Sequence, residues 1–255
     1  SFEQAVKKEA ESGTVRVLLN FPQNPSGYSP TSDEAQKIVS IIKETAQKGT
    51  KVLVVSDDAY FGLNYESNIE KQSLFAYMCD LDENVLALKI DGPTKEDFVW
   101  GLRCGFITFG WKGATEEQYR AIEKKLAGVI RATVSCCSTP AQSMVLKAFS
   151  DPAIEDQKAH FRKVLEGRYR KVRNFTDSHK SKVIEPLPFN SGYFMSFNLK
   201  GVDAEVLRTK LLAEKGIGTI SIDSCTLRIA FSSLDEDKIE NVYSAIYETA
   251  EKLAQ

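Results

Sequence analysis

The sequence contains few of the residues that mark a metal site or a disulfide framework. Its 255 residues include only two histidines and five cysteines. His160 and His179 have no cysteine or carboxylate neighbours at metal-ligand spacing, so we expect no metal site. The cysteines are odd in number and show no Cys-x-x-Cys spacing, which favours reduced thiols and a cytoplasmic location.

The chain also lacks an excess of either charge and any long apolar run. Its 33 basic and 35 acidic residues leave a formal net charge of -2, which gives no reason to expect a nucleic-acid partner. No apolar stretch is long enough to cross a bilayer, so we expect no membrane partner. With 42% hydrophobic residues, the composition is that of a globular protein with a sizeable core.

The first 110 residues alternate between strand and helix patterns. The predicted strands are 14–20, 51–56, 85–90 and 105–109. The second is almost continuously apolar, which predicts a strand buried on both faces. Helices are predicted at 32–48, where Thr31 and Glu34 form a capping box, and at 73–79. This alternation predicts an α/β fold with a mainly parallel sheet.

After these residues the pattern changes to helices and then to a mixture of strands and helices. Helices are predicted at 115–131, 140–149, 153–178, 203–215 and 235–253, and strands at 192–198, 217–222 and 226–231. Ser233 and Glu236 form a second capping-box pattern before the last helix. We therefore expect a large α/β domain over 1–155 and a small α+β domain over 156–255, which includes a long linking helix.

Polar side chains follow the predicted strands where ligands bind in open parallel sheets. Asn24 follows the first strand, Asp57 and Tyr60 the second, and Lys95 the third, while Arg103 opens the fourth. A lysine amine can form a Schiff base with an aldehyde cofactor, and a carboxylate can pair with a protonated pyridine nitrogen. A phenol and an amide can bind a phenolic oxygen, and an arginine can grip a phosphate. Together these groups describe a pyridoxal phosphate site.

Four segments, in order, resemble the class I and II aminotransferases of fold type I. They are NFPQNPSGYSPT, VVSDDAYFGL, DGPTKEDFVWGLRCGF and TLRIAFSS. They are similar to an Asn-Pro-x-Gly loop, an Asp-x-x-Tyr segment, a lysine eight positions before a phosphate-binding arginine, and an arginine that binds the substrate carboxylate. The resemblance implies the fold of pyridoxal-phosphate-dependent transferases, with part of the large-domain sheet and a C-terminal small domain. It also implies amino transfer between an L-amino acid and a 2-oxo acid.

The resemblance assigns cofactor roles to five residues. Lys95 would hold pyridoxal 5'-phosphate as a Schiff base and move a proton during catalysis. Asp57 would face the pyridine nitrogen, and Tyr60 and Asn24 would bind the phenolic oxygen. Arg103 would bind the phosphate.

The resemblance assigns substrate binding to Arg228 and Asn24, with Arg228 on the α-carboxylate. One position departs from the family. Gly92 stands where members often carry a phosphate-binding serine, so that contact is either lost or supplied by Thr94.

Two neighbours compete for these roles. Lys89 also lies near the end of a predicted strand, but the eight-residue spacing to Arg103 favours Lys95. Asp58 competes with Asp57, but the three-residue gap to Tyr60 favours Asp57. Adjacent side chains of an extended segment point to opposite faces, so only one of the two aspartates can face the cofactor.

The chain is short for this family. We expect a C-terminal piece that lacks the N-terminal third or more of a family member, with weak or absent catalysis on its own. The resemblance also implies a homodimer. Alternatives on the same fold are a carbon–sulfur lyase, a decarboxylase, and the non-catalytic effector domain of a transcription regulator.

Overall fold

The computed structural model describes all 255 residues, which form two compact units. The first unit contains Ser1–Phe21, Pro30–Gly62 and Asn68–Ile154, and the second contains Pro22–Ser29, Leu63–Ser67 and Glu155–Gln255. The predicted large domain, 1–155, included Pro22–Ser29 and Leu63–Ser67. The contacts of these two short segments group them with the second unit. No helix in the chain is long and apolar enough to cross a membrane.

The first unit is built on a four-stranded sheet. Its strands are Thr14–Asn20 (β1), Lys51–Asp57 (β2), Val85–Asp91 (β3) and Phe106–Trp111 (β4). They are adjacent in chain order; β1, β2 and β3 are parallel, and β4 is antiparallel to β3. The predicted α/β fold with a mainly parallel sheet is therefore confirmed.

Six helices accompany this sheet. They are Phe2–Ala10 (α1), Ser32–Gln47 (α2), Phe75–Met78 (α3), Pro93–Glu96 (α4), Glu116–Thr133 (α5) and Thr139–Phe149 (α6). Thr31 and Glu34 make the predicted capping box at the start of α2. Helix α1 was not predicted from the sequence, although Ser1 and Gln4 cap it in the same way.

The core of the first unit lies against one face of the sheet. Buried valines of β1 and β2 pack there with Ile42 and Ala46 of α2 and Met78 of α3. In β2 the buried residues alternate with half-buried ones, so the prediction of burial on both faces is wrong. On the opposite face Leu18 is 66% exposed and Ile90 is 42% exposed, because nothing in this chain covers them fully.

The second unit combines helices with a small antiparallel sheet. Its helices are Ile154–Ser178 (α7), Ala204–Lys215 (α8) and Ile239–Leu253 (α9), and α7 begins at the last residue of the first unit. Its strands are Ile184–Pro186 (β5), Met195–Leu199 (β6), Ile220–Ser221 (β7) and Thr226–Ile229 (β8), in the order β5-β6-β8-β7. This is the predicted α+β arrangement, except that β5 was missed.

The predicted capping box before the last helix is wrong. The Ser233 hydroxyl donates to the Ala230 carbonyl, inside the 3-10 turn Phe231–Ser233. Glu236 begins another 3-10 turn, and α9 itself starts only at Ile239. The 3-10 turn Glu236–Lys238 separates Ser233 from the helix, so the Ser233 side chain does not cap it.

Candidate active site

Asp57 is the last residue of β2, at the carboxyl end of the parallel strands. In the sheet register it lies between Asn20 of β1 and Ile90 of β3. Because buried and half-buried residues alternate along β2, Asp57 faces away from the core. Its carboxylate accepts from the backbone N–H of Ala59 at 3.3 Å.

Lys95 lies on α4, directly after β3, and meets Tyr60. Its ammonium nitrogen is 4.7 Å from the centroid of the Tyr60 ring, and that ring is almost fully buried. Burial, together with the positive charge of Arg103, lowers the pKa of Lys95, while the Asp57 carboxylate opposes the shift. The amine therefore loses its proton more readily than an ordinary lysine and can act as a nucleophile.

Arg103 presents an exposed guanidinium near this lysine. Its backbone is in the left-handed region, with φ of 52°, after the 3-10 turn Trp100–Leu102. The guanidinium donates to the Trp100 carbonyl at 3.4 Å. An exposed guanidinium with one long bond of this kind keeps the capacity to grip an anion.

The surroundings of position 92, just before Lys95, explain why glycine rather than serine stands there. A Cβ added there would lie 2.8 Å from the Cys104 carbonyl oxygen, so this position excludes serine by its close approach to the backbone. The Thr94 hydroxyl donates to the same carbonyl at 3.4 Å. The two segments that carry Lys95 and Arg103 are thus packed against each other.

Lys89 and Asp58 were the alternatives to Lys95 and Asp57. They lie together on the core side of the sheet. The Lys89 ammonium is 2.7 Å from an Asp91 oxygen and 3.9 Å from an Asp58 oxygen. Burial lowers the pKa of Lys89, but the hydrogen bond to Asp91 and the charges of Asp91 and Asp58 outweigh it and raise that pKa. A lysine held as a cation in this way is a poor nucleophile, which favours Lys95 over Lys89.

Arg228 and Asn24 meet in the second unit. Arg228 lies on β8 between the buried residues Leu227 and Ile229 and points to the opposite face. Its guanidinium donates to the carboxamide oxygen of Asn24 at 2.8 Å. On another side it lies 4.4 Å from the centroid of the Phe194 ring. These two contacts fix the orientation of the guanidinium.

The loop 22–29 that carries Asn24 is anchored by three side chains at the start of β6 and just before it. Ser196 donates to the Pro25 carbonyl at 2.8 Å, and Ser191 donates to the Gly27 carbonyl at 3.0 Å. Asn190 both accepts from and donates to the Ser29 backbone, at 2.8 and 2.9 Å. The loop is therefore held along its length, and Asn24 is positioned by backbone contacts rather than by its own side chain alone.

The predicted site residues thus fall into two groups. Asp57, Tyr60, Thr94, Lys95 and Arg103 belong to the first unit, and Asn24 and Arg228 belong to the second. The first group combines a nucleophilic amine, a carboxylate, a phenol and a guanidinium, which could hold an aldehyde that carries an anionic group. The second could hold a carboxylate. No group of three or more metal-ligating side chains occurs in the chain.

Two contacts near these groups were not predicted from the sequence. Phe194 lies 34 positions from Arg228, and no local pattern links the two residues. The Asp58–Lys89 contact could have been found, because the alternation of β2 and β3 places both side chains on the core face.

Comparisons with known proteins agree on one family. A family model described as aminotransferase class I and II matches residues 1–246. An aspartate aminotransferase of Sulfurisphaera tokodaii is 25% identical over 240 residues, which cover 90% of this chain and 55% of that protein. Kynurenine–oxoglutarate transaminase 3 of Bos taurus is 26% identical over 212 residues, which cover 81% of this chain and 42% of that protein.

Solved structures show the same fold. An aminotransferase from Anaerococcus prevotii matches with a TM-score of 0.81 and 23% identity, over 97% of this chain and 60% of that one. A kynurenine aminotransferase from Pyrococcus horikoshii, solved in complex with PMP, matches with a TM-score of 0.78 and 20% identity, over 100% of this chain and 61% of that one. The chain thus spans about two fifths to three fifths of the length of these relatives.

Proposed function

The chain belongs to the class I and II aminotransferase family, and from this membership we propose that it serves amino transfer between an L-amino acid and a 2-oxo acid. We propose pyridoxal 5'-phosphate as the cofactor. Because the chain spans only part of the length of its relatives, the activity of the whole protein, its substrates and its partners belong to this proposal.

The observation that carries the proposal is the environment of Lys95. A half-buried amine with a lowered pKa lies over the Tyr60 ring, within the electrostatic influence of Asp57 and Arg103. Such an amine suits covalent attachment to an aldehyde carbon. The donor set of the first unit therefore fits pyridoxal phosphate, which supplies an electron sink for negative charge on the substrate Cα when it is bound.

The other residues of the first unit have distinct roles in this proposal. Asp57 pairs with the pyridine nitrogen and keeps it protonated. Tyr60 donates to the phenolic oxygen, and Arg103 binds the phosphate. Gly92 has no side chain with which to bind the phosphate. Thr94, next to Lys95, supplies a hydroxyl for that contact. Lys95 itself takes the proton from the substrate Cα.

Arg228 binds the substrate carboxylate in this proposal. Its guanidinium is oriented by Asn24 and Phe194, so its remaining N–H donors, which lie in the plane of the group, point in a fixed direction. Asn24 uses the oxygen of its carboxamide for Arg228. Its proposed bond to the cofactor's phenolic oxygen calls for the nitrogen, so the two roles use different ends of one side chain.

Reductive labelling tests the proposal. The full chain is incubated with pyridoxal phosphate, reduced with borohydride, digested and mapped by mass spectrometry. We expect the label on Lys95, and a label on Lys89 instead would refute the assignment. Transfer of an amino group from a panel of L-amino acids to a 2-oxo acid is then measured. Release of pyruvate and ammonia without transfer would favour a lyase.

We also propose a homodimer. Several large apolar side chains of α6 and at the end of α5 are exposed, namely Val134 at 72%, Met144 at 52%, Leu146 at 69% and Phe149 at 50%. Exposed apolar side chains clustered in one segment are typical of an interaction surface. Light scattering after size exclusion should give twice the chain mass, and Leu146→Glu should shift the protein to monomer.

For the location we propose the cytoplasm. All five cysteines are free thiols in this structure, and their spacing is not that of a disulfide framework. Fractionation of cells that express the full-length protein tests this proposal.

A further inference from the structure

Two cysteines meet beside the segment that carries Lys95 and Arg103. The Cys137 thiol donates to the Arg103 carbonyl oxygen at 3.8 Å, which places it beside the peptide bond that joins Arg103 to Cys104. Cys104 directly follows Arg103, and Cys137 lies in the loop between α5 and α6. The proposed transfer reaction uses neither thiol.

We propose that Cys104 and Cys137 form an oxidisable dithiol, which a peroxide or a low-molecular-weight disulfide converts into an intrachain disulfide bond. The bond would join the loop between α5 and α6 to the segment that carries Arg103. Disulfides of this kind in a reducing compartment are transient and act as redox sensors.

The exposure of the two thiols sets the order of the reaction. Cys137 is half-buried and reachable by a small oxidant, whereas Cys104 is only 6% exposed. Burial and the contact with Cys137 raise the pKa of Cys104, so less of its reactive thiolate is present. Cys137 therefore reacts first, and Cys104 resolves the product.

The steps balance with either oxidant. With hydrogen peroxide, the Cys137 thiolate takes one oxygen to give a sulfenic acid, and the other oxygen leaves as water. The Cys104 sulfur then attacks the Cys137 sulfur, the disulfide forms, and a second water leaves. With a small disulfide, Cys137 forms a mixed disulfide and releases one thiol. Attack by Cys104 then releases the second thiol. In both cases two protein thiols are oxidised and one oxidant molecule is reduced.

The disulfide would act on the segment around Arg103, and this consequence rests on the proposed function. Oxidation removes the S–H that Cys137 donates to the Arg103 carbonyl. The Cys104 carbonyl accepts from the Thr94 hydroxyl and lies against Gly92. A displacement of Cys104 would therefore also displace Gly92 and Thr94, which precede Lys95. We therefore expect the oxidised protein to bind pyridoxal phosphate several-fold more weakly than the reduced protein.

The test uses the full chain and reads the bond directly. Purified, reduced protein is treated with hydrogen peroxide or oxidised glutathione. The number of free thiols should fall from five to three, five minus two, and the mass should fall by two hydrogens. Peptide mapping without reduction should link Cys104 to Cys137, and dithiothreitol should restore both thiols.

Serine variants test whether the disulfide joins Cys104 to Cys137 and not another pair of cysteines. Cys137→Ser and Cys104→Ser should each abolish the link, while Cys136→Ser, which changes an exposed neighbour, should keep it. Since Cys104 is buried, the half-buried Cys137 provides the variant that is safer for folding. An unchanged thiol count, or a link that involves Cys136, would overturn the proposal.

Equilibrium dialysis with pyridoxal phosphate compares the oxidised and reduced proteins. Weaker binding that dithiothreitol reverses supports the consequence for Arg103, and equal binding by both forms overturns it. Failure of the reduced protein to bind pyridoxal phosphate would refute the proposed function while leaving the mapped disulfide intact, so the two failures can be told apart.

Discussion

The guanidinium of Arg228 donates a 2.8 Å hydrogen bond to the carboxamide oxygen of Asn24, across a separation of 204 positions in the sequence. The Phe194 ring lies 4.4 Å from the same guanidinium. Arg228 is thus oriented before any ligand arrives, and a side chain fixed in advance loses less entropy when it binds. This relationship gives Asn24 a role in the second unit that its position after β1 does not suggest.

Loss of either contact should weaken carboxylate binding. Asn24→Ala removes a hydrogen bond to a charged group, so we expect about tenfold weaker binding of a 2-oxo acid. Phe194→Leu removes only the cation–π contact and should weaken binding a few-fold. Calorimetric titration of the cofactor-loaded protein with a 2-oxo acid gives both dissociation constants.

The control for this prediction is Arg208→Gln. It removes an arginine of the same unit whose partner is Glu205 on α8, so carboxylate binding should not change. If Asn24→Ala and Phe194→Leu bind the 2-oxo acid as tightly as the unaltered protein, Arg228 does not bind the carboxylate in the way proposed.

Local sequence patterns predicted the fold well, because strand and helix periodicities and turn residues lie close together in the chain. The capping box at Thr31 and Glu34 is an example, since both partners lie within one helical turn. The contacts that shape the site are long-range and could not be predicted. Gly92 stands in place of serine because the Cys104 carbonyl approaches it from another segment. The packing of Phe194 on Arg228 likewise depends on how the second unit folds.

The pKa of Lys95 should respond in opposite directions to its two charged neighbours. Arg103 lowers this pKa, so Arg103→Gln should raise it, whereas Arg103→Lys keeps the charge and should change it little. Asp57 opposes the lowering, so Asp57→Asn should lower the pKa further. The measurement is the pH midpoint for capture of pyridoxal, which lacks the phosphate, trapped with borohydride and quantified at Lys95. A midpoint that moves the same way in Arg103→Gln and Asp57→Asn would contradict this electrostatic account.

Asp58 should make the first unit less stable as the pH rises. Burial raises its pKa from an ordinary value of 3.8 to about 6, although Ser73 and Lys89 oppose the shift. The folded state therefore holds this proton more tightly than the unfolded chain does. Its stabilising effect is complete below about pH 4 and is lost as the pH rises through about 6.

Asp58→Asn stays neutral over this range and should escape the loss. Its free energy of unfolding, relative to the unaltered protein, should increase by roughly 1 to 3 kcal/mol between about pH 4 and about pH 7. Urea unfolding followed by tryptophan fluorescence suits this test, because both tryptophans, Trp100 and Trp111, lie in the first unit. A difference between the two proteins that does not vary with pH would show that Asp58 does not titrate in this window.

Gly27 should be far less tolerant of alanine than Gly216, although both have left-handed backbones. Their φ angles are +76° and +66°, so alanine at either position carries the left-handed penalty of about 1–2 kcal/mol. At Gly27 a Cβ would also lie 2.0 Å from the Phe194 carbonyl oxygen, a backbone atom that cannot rotate away. At Gly216 nothing lies within 4 Å of the added Cβ. Gly216→Ala is therefore a matched control for conformation without the clash.

The expected result is a further loss of stability in Gly27→Ala alone, of more than about 2 kcal/mol, because the loop or the Phe194 backbone must move. Hydrogen exchange of the α9 amides reports the stability of the second unit. A shift of the loop would also displace Asn24 from Arg228, so Gly27→Ala should bind a 2-oxo acid more weakly, while Gly216→Ala should bind it normally. Equal losses of stability in the two variants would mean that only the backbone angle matters at Gly27, and that the loop does not depend on its close packing against Phe194.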